Sequence, residues 1–409
     1  MKYKVTRNIK YDFAGQSYGS VYPNLHKYPA AMLPQIGIEL FKELNIKKGT
    51  LLDPYCGSGS SFAVGIDRGL NEMYGFDINP LAVLISQAKF TKINLDNALI
   101  IRQELRDSVF EFIKKEKNIE KIDLPLFKNV GFWYSKEVLQ HLTVLKLFIQ
   151  QIKNEKIKRL FLVPFSETAR ECSYTRNSEF KLYRIKEEDI LNFNPDVLGV
   201  YFQKLNKVLD KYTHFYYPKI KNTVVDISFN VFPKRENFYD IVLTSPPYGD
   251  SKTTVAYGQF SHFANEWIGI DYARQVDSML MGGKNVKENY KNGVIGESVE
   301  LISKENDKRA KEVSSFYFDL EKSILDVAKS VKKGGKIIYV VGNRTVKGVK
   351  LPTDQFIAEK FSENRFEHLK TYERIIGNKV MPSKNSPSNI KGAIQGTMTK
   401  EYIVICEKK

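Results

Sequence analysis

The chain has 409 residues, 42% hydrophobic and 12% aromatic, with 63 Lys and Arg against 47 Asp and Glu, for a formal net charge of +16. No apolar run approaches the ~18 residues that span a bilayer, and the start, Met-Lys-Tyr-Lys-Val-Thr-Arg, lacks a signal peptide's apolar stretch. Cys56, Cys172 and Cys406 stand far apart, and the five histidines form no paired ligand pattern, which speaks against a metal and for the cytoplasm.

The length leaves room for a core domain of ~250 residues and an inserted region of ~100–150. Near the N-terminus, His26-Lys27-Tyr28-Pro29-Ala30 precedes a helix-like segment from Gln35 to Leu44. A short apolar run then ends in Asp53-Pro54-Tyr55-Cys56-Gly57-Ser58-Gly59, and a helix through Phe62, Val64 and Ile66 comes next. Glycines at such a strand exit let the backbone approach a ligand, and the helix behind offers unpaired N–H groups. The next strand, Tyr74–Asp77, ends in an acid about 20 residues on, with Ile78 after it, where ribose hydroxyls would bind. The Gly-Lys of a phosphate loop is absent, which argues against a nucleoside triphosphate.

Residues 96–221 read as an insertion. Val138, Leu142, Leu145, Ile149 and Ile152 mark one face of a helix over Glu137–Ile152, and Arg159–Pro164 reads as a short strand. The segment from Ser173 to Arg184 carries three positive charges, a tyrosine pair and Asn177. It suits either a reader of base edges or a solvated loop folded against the core. Strands over Thr223–Ile227 and Asp240–Thr244 are joined by a loop containing Pro233, and the second runs into Ser245-Pro246-Pro247-Tyr248-Gly249-Asp250. Prolines cannot continue a ladder, so the carbonyls around them can accept hydrogen bonds, beside the Ser245 oxygen and the flat face of Tyr248. Such a site suits a planar heterocycle with an exocyclic amine; a plain proline turn is the other reading. Asp250 orients this loop or caps the next segment of chain.

A second insertion, 251–306, holds Tyr257, Phe260, Phe263 and Trp267, read as the packed face of a helix, with Lys252, Thr253 and Thr254 next to the site. A helix from Val313 to Val331 is expected to stop at Gly334-Gly335, before a strand over Lys336–Val341. A helix around Asp354–Phe361 and strands around His368–Ile376 and Tyr402–Cys406 complete the chain.

The 53–59 segment resembles the S-adenosylmethionine motif of methyltransferases acting on exocyclic amines of DNA bases, and Thr244 to Tyr248 resembles their catalytic motif. The match covers roughly residues 20–95 and 222–409. It implies a Rossmann-like class I methyltransferase fold: α/β, with a seven-stranded, mostly parallel sheet, a C-terminal antiparallel hairpin and an inserted, mainly helical region. In that reading residues 1–95 and 222–409 form the catalytic domain, and 96–221 is a candidate for target recognition. The resemblance places His26, Tyr28, Pro29, Asp53, Pro54, Tyr55, Cys56, Gly57, Gly59, Asp77, Ile78, Asp226 and Thr244 around S-adenosylmethionine, and Ser245, Pro246, Pro247 and Tyr248 around the base. It implies double-stranded DNA as partner, no metal, a cognate restriction endonuclease and a nucleoid-associated cytoplasmic protein. Ser-Pro-Pro-Tyr is commoner in cytosine-N4 enzymes of the family, whereas an acid or amide at the serine position is commoner in adenine-N6 enzymes. An RNA amino-methyltransferase and an inactive DNA-binding subunit are the remaining alternatives.

Overall fold

The computed structural model describes residues 3–16, 21–29, 31–115, 119–220, 223–229, 232, 235–250, 254–377, 384–385, 395–396 and 398–409. Its main sheet is built from β1 (Val5–Arg7), β2 (Thr50–Asp53), β3 (Glu72–Asp77), β4 (Val224–Phe229), β5 (Tyr239–Thr244), β6 (Val331–Val341), β7 (Phe366–Ile375) and β8 (Lys400–Lys408). The order is β1-β7-β8-β6-β5-β2-β3-β4. From β6 to β4 every pairing is parallel. β8 runs antiparallel to both β6 and β7, which makes the expected closing hairpin. The sheet has eight strands where seven were expected. The extra one is β1, which adds parallel to β7 with Val5 opposite Thr371. Three residues in a lysine-rich stretch leave no periodicity to read.

Central strands buried on both faces alternate between two cores. Leu51, Ile241, Leu243, Ile338 and Ile403 point into one, and Leu52, Val242, Ile337, Tyr339 and Val404 into the other. The second core is covered by α9 (Gly293–Glu305), α10 (Asp307–Ser330) and α11 (Thr353–Glu363). The first is covered by α1 (Pro34–Glu43), α2 (Ser60–Asp67), α3 (Pro80–Phe90) and α8 (Tyr257–Trp267), and by helices of the 96–221 region. Those helices include α4 (Leu95–Lys114), α5 (Lys136–Gln150), α6 (Glu155–Glu171) and α7 (Val197–Lys211). The first insertion is thus helical, as expected, and its apolar stripes merge with the sheet's own core.

Two local expectations are corrected. Arg159–Pro164 is not a strand but the middle of α6, with Pro164 inside the helix. A six-residue apolar run has no period of its own; the buried Ile157, Leu160, Phe161, Pro164, Phe165, Thr168 and Ala169 trace a helical stripe once the flanks are included. Likewise Gly334-Gly335 does not stop α10, which ends at Ser330. The pair lies within β6, Gly334 at φ +76, where the register against β5 slips between Val331 opposite Tyr239 and Lys336 opposite Ile241. Glycine at a strand bulge and glycine at a helix end look alike in sequence.

α6 is the joint of the first layer, touching α3, α5, α7 and α8. Trp267 sits at this joint, 1% exposed. It is ringed by Phe127, Tyr134 and Phe165 at edge-on geometry and donates its indole N–H to the Tyr134 hydroxyl at 3.2 Å. Phe260, Phe263 and Trp267 are therefore packing residues, as their spacing suggested, while Tyr257 reaches the cleft described below. Trp267→Ala leaves a cavity between insertion and core and is expected to lower the unfolding free energy by about 3–5 kcal/mol. Urea denaturation monitored by circular dichroism measures it.

Candidate active site

The chain runs outward from β2 through β3 to β4 and then returns to place β5 on the other side of β2. A crevice forms where strand order reverses in this way, outside the carboxyl ends of the strands. The two punctuated strand ends, 191 residues apart in sequence, thereby become neighbours. Thr244 at the end of β5 donates its hydroxyl to Asp53 Oδ1 at the end of β2 at 2.5 Å. Asp53, itself 4% exposed, also accepts from the Tyr55 N–H at 3.0 Å and from the Ser61 hydroxyl. Burial pushes its pKa up to about 6, against those hydrogen bonds.

Over these strand ends lies a cleft of about 420 Å³, within the ~300–1,000 Å³ range of small-molecule sites. Of the residues expected around the cofactor, Tyr28, Pro29, Asp53, Pro54, Tyr55, Cys56, Gly57, Asp77 and Ile78 line it. Ser245 and Pro247 of the proposed base site open onto the same space. Gly57 has φ +48, which favours glycine, and its N–H donates to Asp77 Oδ2 at 2.9 Å. Ser86 and Lys89 of α3 hold the loop from below, donating to the Gly57 and Ser58 carbonyls at 2.6 and 2.8 Å. Lys89 is fully buried, and burial pushes its pKa down to about 7. Gly59 caps α2 at φ +86, where a Cβ would lie 2.5 Å from the Phe90 ring, so its role is to let the loop turn rather than to line the cleft.

Asp77 accepts from the Gly57 and Asn79 N–H groups, and burial still raises its pKa to about 6. The Asn79 amide donates to the Tyr28 hydroxyl at 3.2 Å and to Ser261 of α8 at 3.0 Å. Tyr28 in turn stacks on Tyr257 with ring centroids 6.0 Å apart. The other expected residues lie elsewhere. His26 is 5% exposed, edge-on to Phe260, with neither ring nitrogen hydrogen-bonded among the described residues. Burial lowers its pKa to about 4, so the ring is neutral. Asp226 is an exposed residue in the middle of β4 and is not part of the cleft lining. Thr244 and Pro246 are buried beneath the site, and Tyr248 stands half-buried beside it.

Asp250 is buried. Its carboxylate, 2% exposed, pairs with Arg344 at 2.9 Å and Arg309 at 3.3 Å, tying the end of the proline loop to α10 and to the segment after β6. Thr254 donates both N–H and hydroxyl to the Asp250 carbonyl; Lys252 and Thr253 lie outside the described residues. Gly342 lies against Tyr248, and a Cβ there would come within 2.8 Å of its ring and 1.9 Å of the Met398 sulfur.

One wall of the cleft lies outside both sequence motifs: Asp319, Lys322, Ser323 and Asp326 on α10, with Met279 to Met281 and Lys284 from the second insertion. The spacing of the α10 residues, three or four apart, is a legible polar stripe on one helical face. Nothing local says what that face looks onto. Tyr55 closes the cleft towards this helix through a hydrogen bond to the Ser323 hydroxyl.

The Ser173–Arg184 segment divides. Ser173, Tyr174 and Thr175 are buried. Arg170, just before them, donates to the Phe260 and Glu179 carbonyls, and Arg184 lies over the Phe132 ring at 4.2 Å. These arginines serve the fold. The exposed tip is residues 176–180, including Arg176 and Asn177.

With Asp77 ionised above its pKa and protonated below it, affinity for a ligand whose hydroxyls donate to that carboxylate falls as pH drops. For S-adenosylmethionine the dissociation constant should be flat above about pH 7 and rise below about 6, towards about tenfold per pH unit. Calorimetric titration across pH 5–8 with Asp77→Asn as control checks this. The control should bind weakly with a flattened profile, any remaining slope belonging to Asp53.

The chain is 39% identical over 410 residues to the type II methyltransferase M.MvaI of Kocuria varians, an alignment covering 93% of this chain and 89% of that protein. It is 22% identical over 192 residues to the type II methyltransferase M.MjaII of Methanocaldococcus jannaschii, covering 46% of this chain and 34% of that one. Among solved structures, the rRNA methyltransferase AviRa from Streptomyces viridochromogenes aligns over 93% of this chain and 87% of that chain. Identity is 12% and the TM-score 0.29, too low to bear on the fold, which rests on the sheet itself. No protein-family profile matches the chain.

Proposed function

The chain belongs to the type II DNA methyltransferases, and we propose that it methylates the exocyclic N4 of cytosine at a fixed sequence in double-stranded DNA. Its methyl donor is S-adenosylmethionine, and it serves as the modification enzyme of a restriction-modification system. The observation that carries the reading is that Ser245 and Pro247 open onto the same cleft as the Asp53–Gly59 loop and Asp77.

The cleft fits the cofactor. A left-handed Gly57 allows close backbone approach, Asp77 offers acceptors to hydroxyls, and Phe76, Ile78 and Met281 give apolar cover. Bound there, S-adenosylmethionine supplies an electrophilic methyl group on a sulfonium. The residues of the chain then have three tasks. Tyr28, stacked on Tyr257, and the loop pinned by Ser86 and Lys89 hold the site rigid. Tyr248 offers a face on which an extruded base can stack, worth roughly 1–3 kcal/mol per base, against a flipping cost of a few kcal/mol. Ser245 and the Pro246 carbonyl accept the two amine N–H bonds, localising a lone pair that is otherwise delocalised into the ring. Positioning supplies much of the rate.

Serine rather than an acid at position 245 favours cytosine over adenine by resemblance. The helical 96–221 region, with its exposed tip at 176–180, is the proposed reader of target sequence, and the basic surface supports DNA as polyanionic partner. A cognate endonuclease and a place at the nucleoid in the cytoplasm belong to the same proposal.

Nucleoside mass spectrometry of DNA from cells expressing the chain tests the reading directly. N4-methylcytosine is expected; N6-methyladenine would replace the base assignment, and the absence of both bases would overturn amine methylation of DNA. Tyr248→Ala should keep cofactor affinity within about twofold while transfer falls by about 100-fold or more. Unchanged turnover would remove Tyr248 from the site.

A further inference from the structure

The Tyr248 hydroxyl lies 3.3 Å from Ser245 Oγ and donates to Glu401 Oε1 at 2.9 Å. Glu401 comes from β8, in the closing hairpin, far from either sequence motif. Its other oxygen, Oε2, is taken by Arg374 of β7, an arginine 3% exposed that also reaches the Asp12 carbonyl. The carboxylate is thus held from one side by a buried guanidinium and presented on the other to the phenol. Burial pushes the Tyr248 pKa well up, so the phenol keeps its proton and remains a donor.

We infer that Glu401 is a positioning residue which sets the direction of the hydrogen-bond chain Ser245–Tyr248–Glu401 and so makes Ser245 an acceptor for the substrate amine. This rests on the reading of Ser245 as the amine's acceptor. An ionised carboxylate accepts only. Tyr248 must therefore spend its one proton on Glu401, and its oxygen can then only accept. The Ser245 hydroxyl, which could act either way, points its proton at Tyr248 and turns its lone pairs outward. An amine held by two acceptors requires that polarity; a serine donating toward it would meet the amine's own N–H. The two interactions cooperate, since each bond in such a chain polarises the next.

Glu401→Gln reverses the polarity with little change of shape. Arg374 can only donate, so it takes the single amide oxygen and leaves the NH2 facing Tyr248. The phenol then accepts from the amide and turns its proton to Ser245. Expected for this variant are a kcat about tenfold or more below wild type, with the KM for DNA, the cofactor dissociation constant and Tm near wild-type values. In a Tyr248→Phe background, where the chain is already cut, Glu401→Gln should cost nothing further. A kcat within about twofold of wild type would overturn the inference, as would an equal loss in both backgrounds. Should Glu401→Gln fail to fold, Tyr248→Phe alone carries the test, because an unchanged kcat there is equally incompatible with the chain. Wild-type protein that yields no methylated base would instead sink the amine-methylation reading, so the two failures are separable.

Discussion

The structure turns on one contact, the hydrogen bond from Thr244 to Asp53 across adjacent parallel strands. It exists because the chain leaves β2 in one direction and comes back on its other side, and a parallel sheet that reverses order must open a crevice there. Everything at the site is referred to that pair. The glycine loop begins one residue after Asp53, and the proline loop begins one residue after Thr244. Asp53 is buried and hydrogen-bonded by three groups, so the two loops leave the sheet from a common, rigid base.

Around that base the protein builds the walls from distant sequence. One wall is α3 with Asn79 at its cap, whose amide gathers Tyr28 and Ser261. Another is α10, held to the proline loop by Asp250 and its two arginines. The closing hairpin gives the third, through Glu401 and Arg374 under Tyr248. A buried carboxylate between arginines is a weak source of net stability, because desolvation offsets the Coulombic gain. Its value at Asp250 is geometric: it specifies where a loop without regular hydrogen bonding must lie.

The first insertion is continuous with the catalytic core rather than a separate body. α6 meets α3, which holds the glycine loop, and α8, which bears Tyr257. A residue at the insertion's exposed tip is therefore linked to the cleft by packed helices, and interiors this dense transmit displacement.

Much of the site was legible along the chain. Asp-Pro with alternate glycines behind it, an acid 20 residues on, and Ser-Pro-Pro-Tyr each have a local reason, because strand exits, left-handed turns and unpaired carbonyls are properties of a few consecutive residues. Those signals named residues that meet in one cleft, the 53–57 loop, Asp77 and Ser245, and the periodicity of α5 was equally plain. What failed had no local signature: a three-residue edge strand, a proline-bearing helix whose apolar run matched a strand, and a glycine pair that marks a bulge. His26 and Asp226 stand near motifs in sequence yet are not among the residues that line the cleft. Glu401 and Asp319 come from a strand and a helix remote in sequence from both loops. Local chemistry determined which residues could bind and react. Only the order of strands in the sheet decided which of them meet, because that order is set by burying both faces of β2 and β5 at once, a condition no short segment can express.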